Sequence, residues 1–171
     1  MRLFIAINFN KDTKSRLMRL RDELREKSSG GSFPSAENMH LTLVFLGECD
    51  EKDATVIKTV MNTVSFEPFE IFIDRVGKFK RDGGDIWWAG IRENRQLSEL
   101  QRQLAERLIF KGVDVENRKY SPHITLGRRV KTAEQVWRID GFGEKVSGFE
   151  LMKSEKINGK NVYFSTFKRN G

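Results

Sequence analysis

Apolar residues recur at helical spacing in three segments of the chain. Each segment places an apolar side chain at every third or fourth position, which is typical of an amphipathic helix with one buried face. The pattern predicts helices over residues 11–27, 50–64 and 93–111, with apolar faces formed by Leu17, Leu20 and Leu24, by Ile57, Val60, Met61 and Val64, and by Leu97, Leu100, Leu104 and Leu108. Asp50 is a suitable N-terminal cap, and the glycines at 30–31 and 112 are typical of helix ends. A fourth, short helix is predicted over residues 132–137, where Thr132 and Gln135 have the spacing of a capping box.

Runs rich in β-branched and aromatic residues predict strands between these helices. The predicted strands cover residues 2–8, 39–47, 69–79, 85–91, 122–127, 145–154 and 161–167. The segment RDGGD at 81–85 predicts a tight turn, so the third and fourth strands form a hairpin. Together the elements predict an α+β fold. Because both halves of the chain contain helices, antiparallel strands and one copy of the same short motif, we expect two similar lobes that share a cleft within one domain, residues 1–171.

Composition restricts the class of protein. No stretch of the 171 residues approaches the length of an apolar membrane span, and the apolar run at 2–8 is too short for a signal-peptide core. We therefore expect a cytoplasmic protein with no membrane partner. We also expect it to act as a monomer. The lone Cys49 excludes an intramolecular disulfide and a cysteine zinc cluster. The net charge of +7 favours an anionic partner such as nucleic acid.

The only two histidines of the chain open two copies of one tetrapeptide. The sequence HLTL stands at 40–43 and HITL at 123–126. On a strand, residues two apart face the same side, so His40 and Thr42 point together, as do His123 and Thr125, while the alternate residues face the core. If the lobes face each other, the two pairs converge.

Two imidazoles can move two protons near neutral pH, one accepting from water and the other donating to a leaving oxygen. Threonine hydroxyls can bind the non-bridging oxygens of a phosphate between them, so the set suits in-line phosphoryl chemistry without a metal. Two alternatives stay open. The histidines can be hydrogen-bonded structural residues, or they can form a metal site together with a carboxylate.

The segments PSAENMHLTLVFLGE and YSPHITLGR resemble the two signature segments of the two-histidine phosphoesterase superfamily, with RLFIAI, WWAGI and YFSTF as weaker flanking matches. Within it, the chain is most similar to the bacterial and archaeal RNA 2′,3′-cyclic phosphodiesterases, historically called 2′-5′ RNA ligases. The resemblance implies two lobes of antiparallel sheet with helices packed outside, pseudo-twofold symmetry and a central cleft.

The resemblance also implies hydrolysis of a 2′,3′-cyclic phosphate end of RNA, tRNA-like fragments included, to a 2′-phosphate, with no metal or other cofactor. Carried over, His40 is the proton donor and His123 the proton acceptor, with Thr42 and Thr125 beside them. Arg128 is implied as a substrate contact, although strand parity places it opposite His123 unless a bulge or strand end intervenes. Many relatives carry a basic residue at the position of Val44, which shares parity with His40, so the cleft is expected to lack one phosphate contact.

Aromatic side chains commonly hold an unpaired base. Tyr120 is the first candidate, and Phe45 and one of Trp87 and Trp88 are others, because adjacent strand residues face opposite sides. Three other functions remain open: a non-catalytic RNA-binding module of the same fold, the reverse joining of RNA ends through a 2′-5′ linkage, and hydrolysis of a small cyclic nucleotide.

Overall fold

The computed structural model describes residues 1–116 and 118–171. This part of the chain forms nine strands, three α-helices and one short 3-10 helix at Ala36–Asn38. In chain order they are β1 (Arg2–Asn8), α1 (Lys11–Glu26), β2 (Ser28–Ser32), β3 (His40–Glu48), α2 (Glu51–Thr63), β4 (Phe69–Phe79), β5 (Asp85–Ile91), α3 (Arg95–Phe110), β6 (His123–Thr132), β7 (Trp137–Val146), β8 (Gly148–Ile157) and β9 (Lys160–Asn170).

The three long helices are confirmed, and each begins at a side chain that caps its first turn. The Asn10 side chain accepts a hydrogen bond from the backbone N–H of Thr13, and Asn94 accepts from Leu97, both at 2.9 Å. Asp50 and Asp53 form a reciprocal capping box at the start of α2. The leucines that define the apolar faces of α1 and α3 are buried, as the periodicity predicts.

The fourth predicted helix, over residues 132–137, is wrong. Thr132 ends β6, and its hydroxyl donates to the carbonyl of Lys27 at 2.7 Å and accepts from the N–H of Glu134 at 3.2 Å. The residue expected to cap a helix therefore closes a turn, and the chain continues into β7, which pairs with β4. The pattern also missed β2, in the segment expected only to end α1, and the predicted strand 145–154 is divided at Ser147 between β7 and β8.

The strands form two antiparallel sheets, in the orders β3-β1-β8-β9 and β2-β6-β5-β4-β7. The first sheet takes strands from both ends of the chain, and the second takes its strands from the middle and from β2. The predicted α+β fold with two lobes of antiparallel sheet is therefore confirmed, although the two lobes are not the two halves of the chain. After β7 of the second sheet, the chain returns to the first sheet, where β8 pairs with β1.

A repeated unit relates the two sheets. In the first, β1 leads into α1 and pairs with β3, and in the second, β5 leads into α3 and pairs with β6. Both helices have 16 residues and both have an asparagine cap. The repeat places His40 opposite Asn8 and His123 opposite Gly90, at corresponding ends of their strands. A single cluster of buried apolar side chains takes in residues of all three helices and of both sheets.

Candidate active site

The two imidazoles are held in the same way. His40 donates from Nδ1 to the carbonyl oxygen of Asn38 at 2.8 Å, and His123 donates from Nδ1 to that of Ser121 at 2.7 Å. In each case the acceptor lies two residues before the histidine, in the turn that leads into the strand. Because a carbonyl oxygen accepts only, Nδ1 carries the hydrogen and Nε2 is the atom left for a reacting group.

Aromatic rings pack against both imidazoles. The ring of Phe4 lies 4.9 Å and that of Tyr163 5.3 Å from the ring of His40, between centroids. Phe79 meets His123 edge to face at 5.0 Å. These rings fix the orientation of each imidazole and exclude water from one side. No local pattern in the sequence predicts them, because Phe4, Phe79 and Tyr163 come close to the histidines only through strand pairing.

The threonines lie beside the histidines with their hydroxyls differently engaged. The Oγ1 of Thr42 is 3.0 Å from the Nε2 of His40. Within residues 1–116 and 118–171, no corresponding hydrogen bond joins Thr125 to His123. The alternate motif residues Leu41, Leu43, Ile124 and Leu126 are buried in the core, which confirms the alternation predicted from strand parity.

Burial lowers the pKa of both imidazoles from the ordinary value of 6.5. It is the largest cause in each case, and the hydrogen bonds to the carbonyls of Asn38 and Ser121 act in the opposite direction. The positive charge of Arg128 lowers the pKa of both histidines further, and the His123 imidazole also lowers that of His40. A single guanidinium is therefore close enough to act on both imidazoles.

Arg128 reaches this position through a bulge in β6. Trp88 pairs with Thr125 but the adjacent Trp87 pairs with Gly127, so one extra residue stands in β6. The extra residue reverses the parity of the strand, and Leu126 and Gly127 are both buried in succession. Arg128 is consequently exposed on the same side of β6 as His123. The bulge supplies the change of side that strand alternation alone does not allow.

The first motif contains the same bulge, which corrects the prediction for Val44. Ala6 pairs with Thr42 and the adjacent Ile5 with Val44, so Leu43 is the extra residue. Val44 is 3% exposed and belongs to the core, and it therefore does not share a face with His40. Phe45, 40% exposed, stands where the second motif has Arg128.

A cavity of about 290 Å³ lies where β3 and β6 come together. Its lining includes Thr42, Phe45, Phe79, Tyr120 and His123, and it extends past the cationic side chains of Arg81, Arg118 and Lys119. The structure thus brings Thr42 of the first motif and His123 of the second to one cavity, whereas His40 and Thr125 are not among its lining residues. Arg81 and the Arg118–Lys119 pair were not predicted as residues of the site, because their place in the cavity depends on the fold.

The predicted aromatic contacts differ in accessibility. Tyr120 lines the cavity, but its ring is mostly buried and its hydroxyl donates to the carbonyl of Thr42 at 2.9 Å. Trp87 is fully buried, whereas Trp88 is half-buried on the face of Thr125, so one of the two tryptophans faces the cleft side, as predicted. Arg75 and Phe79 pack on Trp88, with the cation 5.8 Å from its ring centroid.

Among the residues that the structure describes, no group of three or more His, Cys, Asp and Glu side chains is arranged to hold a metal ion. In the same part of the chain, no helix is long and apolar enough to span a membrane.

Known proteins share this fold and much of this sequence. Residues 12–145 match the 2′-5′ RNA ligase superfamily. The chain is 35% identical over 140 residues to a Thermotoga maritima protein named RNA 2′,3′-cyclic phosphodiesterase, covering 80% of this chain and 74% of that protein. It is 31% identical over 162 residues to an Archaeoglobus fulgidus protein of the same name, covering 90% and 91%. The crystal structure of E. coli LigT complexed with 3′-AMP superposes with a TM-score of 0.87 at 25% identity, covering 99% of this chain and 97% of that one. The chain therefore belongs to the 2′-5′ RNA ligase superfamily.

Proposed function

We propose that this protein hydrolyses the 2′,3′-cyclic phosphate ends of RNA to 2′-phosphates, with His40 and His123 as the acid and base of one site. The observation that carries the proposal is the shared anchoring of the two imidazoles. Each Nδ1 is bound to a carbonyl two residues earlier, so each Nε2 is the atom that can exchange a proton, and in His40 it contacts the Thr42 hydroxyl, which can also reach the substrate. The relatives named RNA 2′,3′-cyclic phosphodiesterase, from a bacterium and an archaeon, support the substrate.

The two imidazoles divide the proton transfers between them. The Nε2 of His123 accepts a proton from water as the water oxygen bonds to phosphorus. The Nε2 of His40 gives its proton to the 3′ oxygen as the bond between phosphorus and that oxygen breaks. The products are a 3′-hydroxyl and a 2′-phosphate, and a second proton exchange with solvent restores both histidines. No step in this sequence calls for a metal ion.

Charge on the phosphate is balanced by groups around the cleft. The hydroxyls of Thr42 and Thr125 donate to non-bridging oxygens, and the positive charge of Arg128, which lowers the pKa of both imidazoles, completes the set. The bound phosphate anion favours the protonated form of His40 and so offsets the lowering of its pKa by burial. Substrate binding thereby prepares the acid for its step.

The decisive experiment uses a short RNA that ends in a 2′,3′-cyclic phosphate, incubated with the protein in excess chelator. Wild type, His40→Ala and His123→Ala are compared with Lys52→Ala, which removes an exposed cation on α2, and the position of the product phosphate is identified. We expect wild type and Lys52→Ala to form the 2′-phosphate at equal rates. Each histidine variant should be slower by about 10²–10⁴-fold while its thermal unfolding stays cooperative.

Other outcomes separate the alternatives. A 3′-phosphate product would place the acid on the other oxygen, and activity only with added divalent metal would overturn the proposed mechanism. RNA binding without turnover would favour a binding module of this fold. Joining of RNA ends uses the same proton transfers in reverse, so we propose it only as a side activity. Action as a monomer, in the cytoplasm and on tRNA-like fragments stays a prediction.

A further inference from the structure

A second groove, of about 370 Å³, lies at the edge of the second sheet, along β2. One wall is the short strand β2, which supplies Ser29, Gly30, Gly31 and Ser32, and the other walls are Gly83, Arg129 and Lys131. The groove and the cleft share strand β6, because Ser32 of β2 pairs with Arg128 and His123 begins the same strand.

Two consecutive arginines, Arg128 and Arg129, lie on the strand that the cleft and the groove share. Trp87 pairs with Gly127 and Asp85 with Val130, so a second bulge lies at Arg128–Arg129. Arg129 has a φ of 51°, in the left-handed region that most side chains avoid. Arg128 is exposed on the side of β6 that carries His123, whereas Arg129 lines the groove. The bulge therefore presents two consecutive guanidinium groups to two adjacent spaces.

The unusual conformation of Arg129 is fixed by the turn between β4 and β5. A Cβ built on Gly84 would lie 2.5 Å from the carbonyl carbon of Arg129, so only glycine allows this approach. Backbone strain of this kind persists where the surrounding structure imposes it, and it is common at functional sites. The orientation of Arg129 is thus built into the fold.

The groove has the chemistry of a phosphate site. It combines two cations with the hydroxyl of Ser32 and with glycine backbone, which a phosphate can approach closely, while the hydroxyl of Ser29 donates to the Lys131 carbonyl at 3.3 Å. No acidic residue is among its lining, and in residues 1–116 and 118–171 no carboxylate lies within ion-pair distance of Arg129 or Lys131. A Cβ on Gly30 or Gly83 would meet open space or only the Lys131 side chain at 3.9 Å, so the groove is not filled by the protein itself.

We propose that this groove binds a phosphodiester of the substrate upstream of its terminal nucleotide. His123 and Val130 pair with Gly90 and Asp85, which are five positions apart on β5, or about 16 Å, and this exceeds the span from a terminal cyclic phosphate to the next phosphodiester. The proposal rests on the proposed function, because it takes the terminal cyclic phosphate to lie between the two histidines. It makes the preferred substrate an oligonucleotide rather than a mononucleotide 2′,3′-cyclic phosphate. Arg129 and Lys131 then contribute to binding and leave the chemical step unaffected.

The test compares 2′,3′-cyclic AMP with an adenosine trinucleotide that ends in a 2′,3′-cyclic phosphate. The variant combines Arg129→Asn with Lys131→Gln, because asparagine tolerates the left-handed backbone and both changes remove charge without removing the whole side chain. The matched control is Lys52→Gln with Lys58→Gln, two cations on α2. Binding of a trinucleotide with a 2′-phosphate end is measured in parallel by calorimetry, as a readout that does not depend on turnover.

We expect wild type to have the higher kcat/KM for the trinucleotide. The groove variant should raise the KM of the trinucleotide by about fivefold to twentyfold, since an exposed ion pair is worth about twofold to fivefold. Its kcat, and its kcat/KM for 2′,3′-cyclic AMP, should stay within about twofold of wild type. The dependence of trinucleotide affinity on salt should also weaken, by a slope of about 0.7 for each phosphate that the variant no longer neutralises.

Three results would overturn the proposal: equal kcat/KM of wild type for the two substrates, equal losses on both substrates in the groove variant, or unchanged trinucleotide affinity in that variant. Failure of the proposed function has a different signature. Wild type would then hydrolyse neither substrate, while calorimetry would still report whether the groove binds the trinucleotide. An Arg129→Lys variant that keeps the wild-type KM for the trinucleotide supports a contact made through charge alone. A variant that loses trinucleotide affinity, with turnover of 2′,3′-cyclic AMP unchanged, supports a contact that needs the shape of the guanidinium group.

Discussion

Tyr120 donates a hydrogen bond from its hydroxyl to the backbone carbonyl oxygen of Thr42, at 2.9 Å. The bond joins the loop before the second motif to the strand that carries the first, across 78 positions of sequence. Burial raises the pKa of the Tyr120 phenol, so the hydroxyl keeps its proton and remains a donor at ordinary pH. The bond therefore fixes the spacing of the two motif strands.

Removing this hydroxyl should weaken the connection between the motifs. We expect Tyr120→Phe to lower the free energy of unfolding by about 1–3 kcal/mol, because it leaves the Thr42 carbonyl without its partner. The kcat should fall several-fold, since small displacements of reacting groups are costly. Denaturant unfolding and steady-state kinetics measure both quantities.

Tyr163→Phe is the matched control for the Tyr120 variant, since Tyr163 is the only other tyrosine. It keeps the ring that packs on His40, and no hydrogen bond from its hydroxyl is found in the described residues, so its stability should equal that of wild type. The predicted role of Tyr120 in substrate binding is tested by the same kinetics. A raised KM in Tyr120→Phe, with stability unchanged, would favour that role over the structural one.

The threonine hydroxyls should matter less than the imidazoles. Thr42→Val and Thr125→Val keep the side-chain shape and each remove one neutral donor to a charged phosphate oxygen. Such a bond is worth about 1.5–3 kcal/mol, so kcat/KM should fall by about tenfold to hundredfold. The corresponding serine variants restore the hydroxyl and should recover most of the activity. A threonine variant that loses as much activity as the histidine variants would indicate a role in proton transfer.

The lowered pKa values of the histidines set the expected pH dependence. The proposed mechanism needs one protonated and one neutral imidazole in the free enzyme. Because both pKa values lie below 6.5, the bell-shaped profile of kcat/KM should reach its maximum below pH 6.5. The bound phosphate anion raises the pKa of the protonated imidazole, so the maximum of kcat should lie at higher pH. A maximum of kcat/KM above pH 7 would contradict this assignment.

Arg128 contributes to the same profile and can be tested separately. Its positive charge lowers the pKa of both histidines, so Arg128→Gln should move the maximum of kcat/KM to higher pH as well as lower its height. Lys52→Gln removes an equal charge on α2 and should leave the position of the maximum unchanged. An Arg128→Gln profile with the wild-type maximum would remove Arg128 from the surroundings of the imidazoles.

The sequence predicted the parts of the site that depend on local periodicity. The three helices follow from apolar residues at helical spacing, and the facing of His40, Thr42, His123 and Thr125 follows from strand alternation. Local pattern also failed in identifiable places. The helix predicted at 132–137 from capping-box spacing was wrong because the Thr132 hydroxyl donates to the carbonyl of Lys27, a partner 105 residues away.

Bulges account for the other errors. An extra residue in a strand reverses parity, and nothing in HLTLVF or HITLGR shows that Leu43 and Leu126 are the residues inserted. The position of Val44 in the core and that of Arg128 near the imidazoles depend on register with β1 and β5, which only the folded sheets determine. The aromatic neighbours of the histidines and the bond from Tyr120 likewise depend on pairings between distant segments.

The corrected register leads to a prediction for Phe45. Its ring lines the cavity, 40% exposed, with the guanidinium of Arg2 at 5.2 Å from its centroid. Stacking of an unpaired base on an aromatic ring is worth about 1–3 kcal/mol, so Phe45→Ala should raise the KM of the RNA substrate by about tenfold or more with little change in kcat. Phe164→Ala is the control, because Phe164 is 42% exposed on β9 and lies outside the cavity lining. If both variants have the same KM, Phe45 does not hold the base, and Trp88 becomes the next aromatic to test. If only Phe45→Ala loses affinity, the first motif supplies an aromatic contact where the second supplies a cation, and the two ends of the pseudo-symmetric cleft bind different parts of the nucleotide.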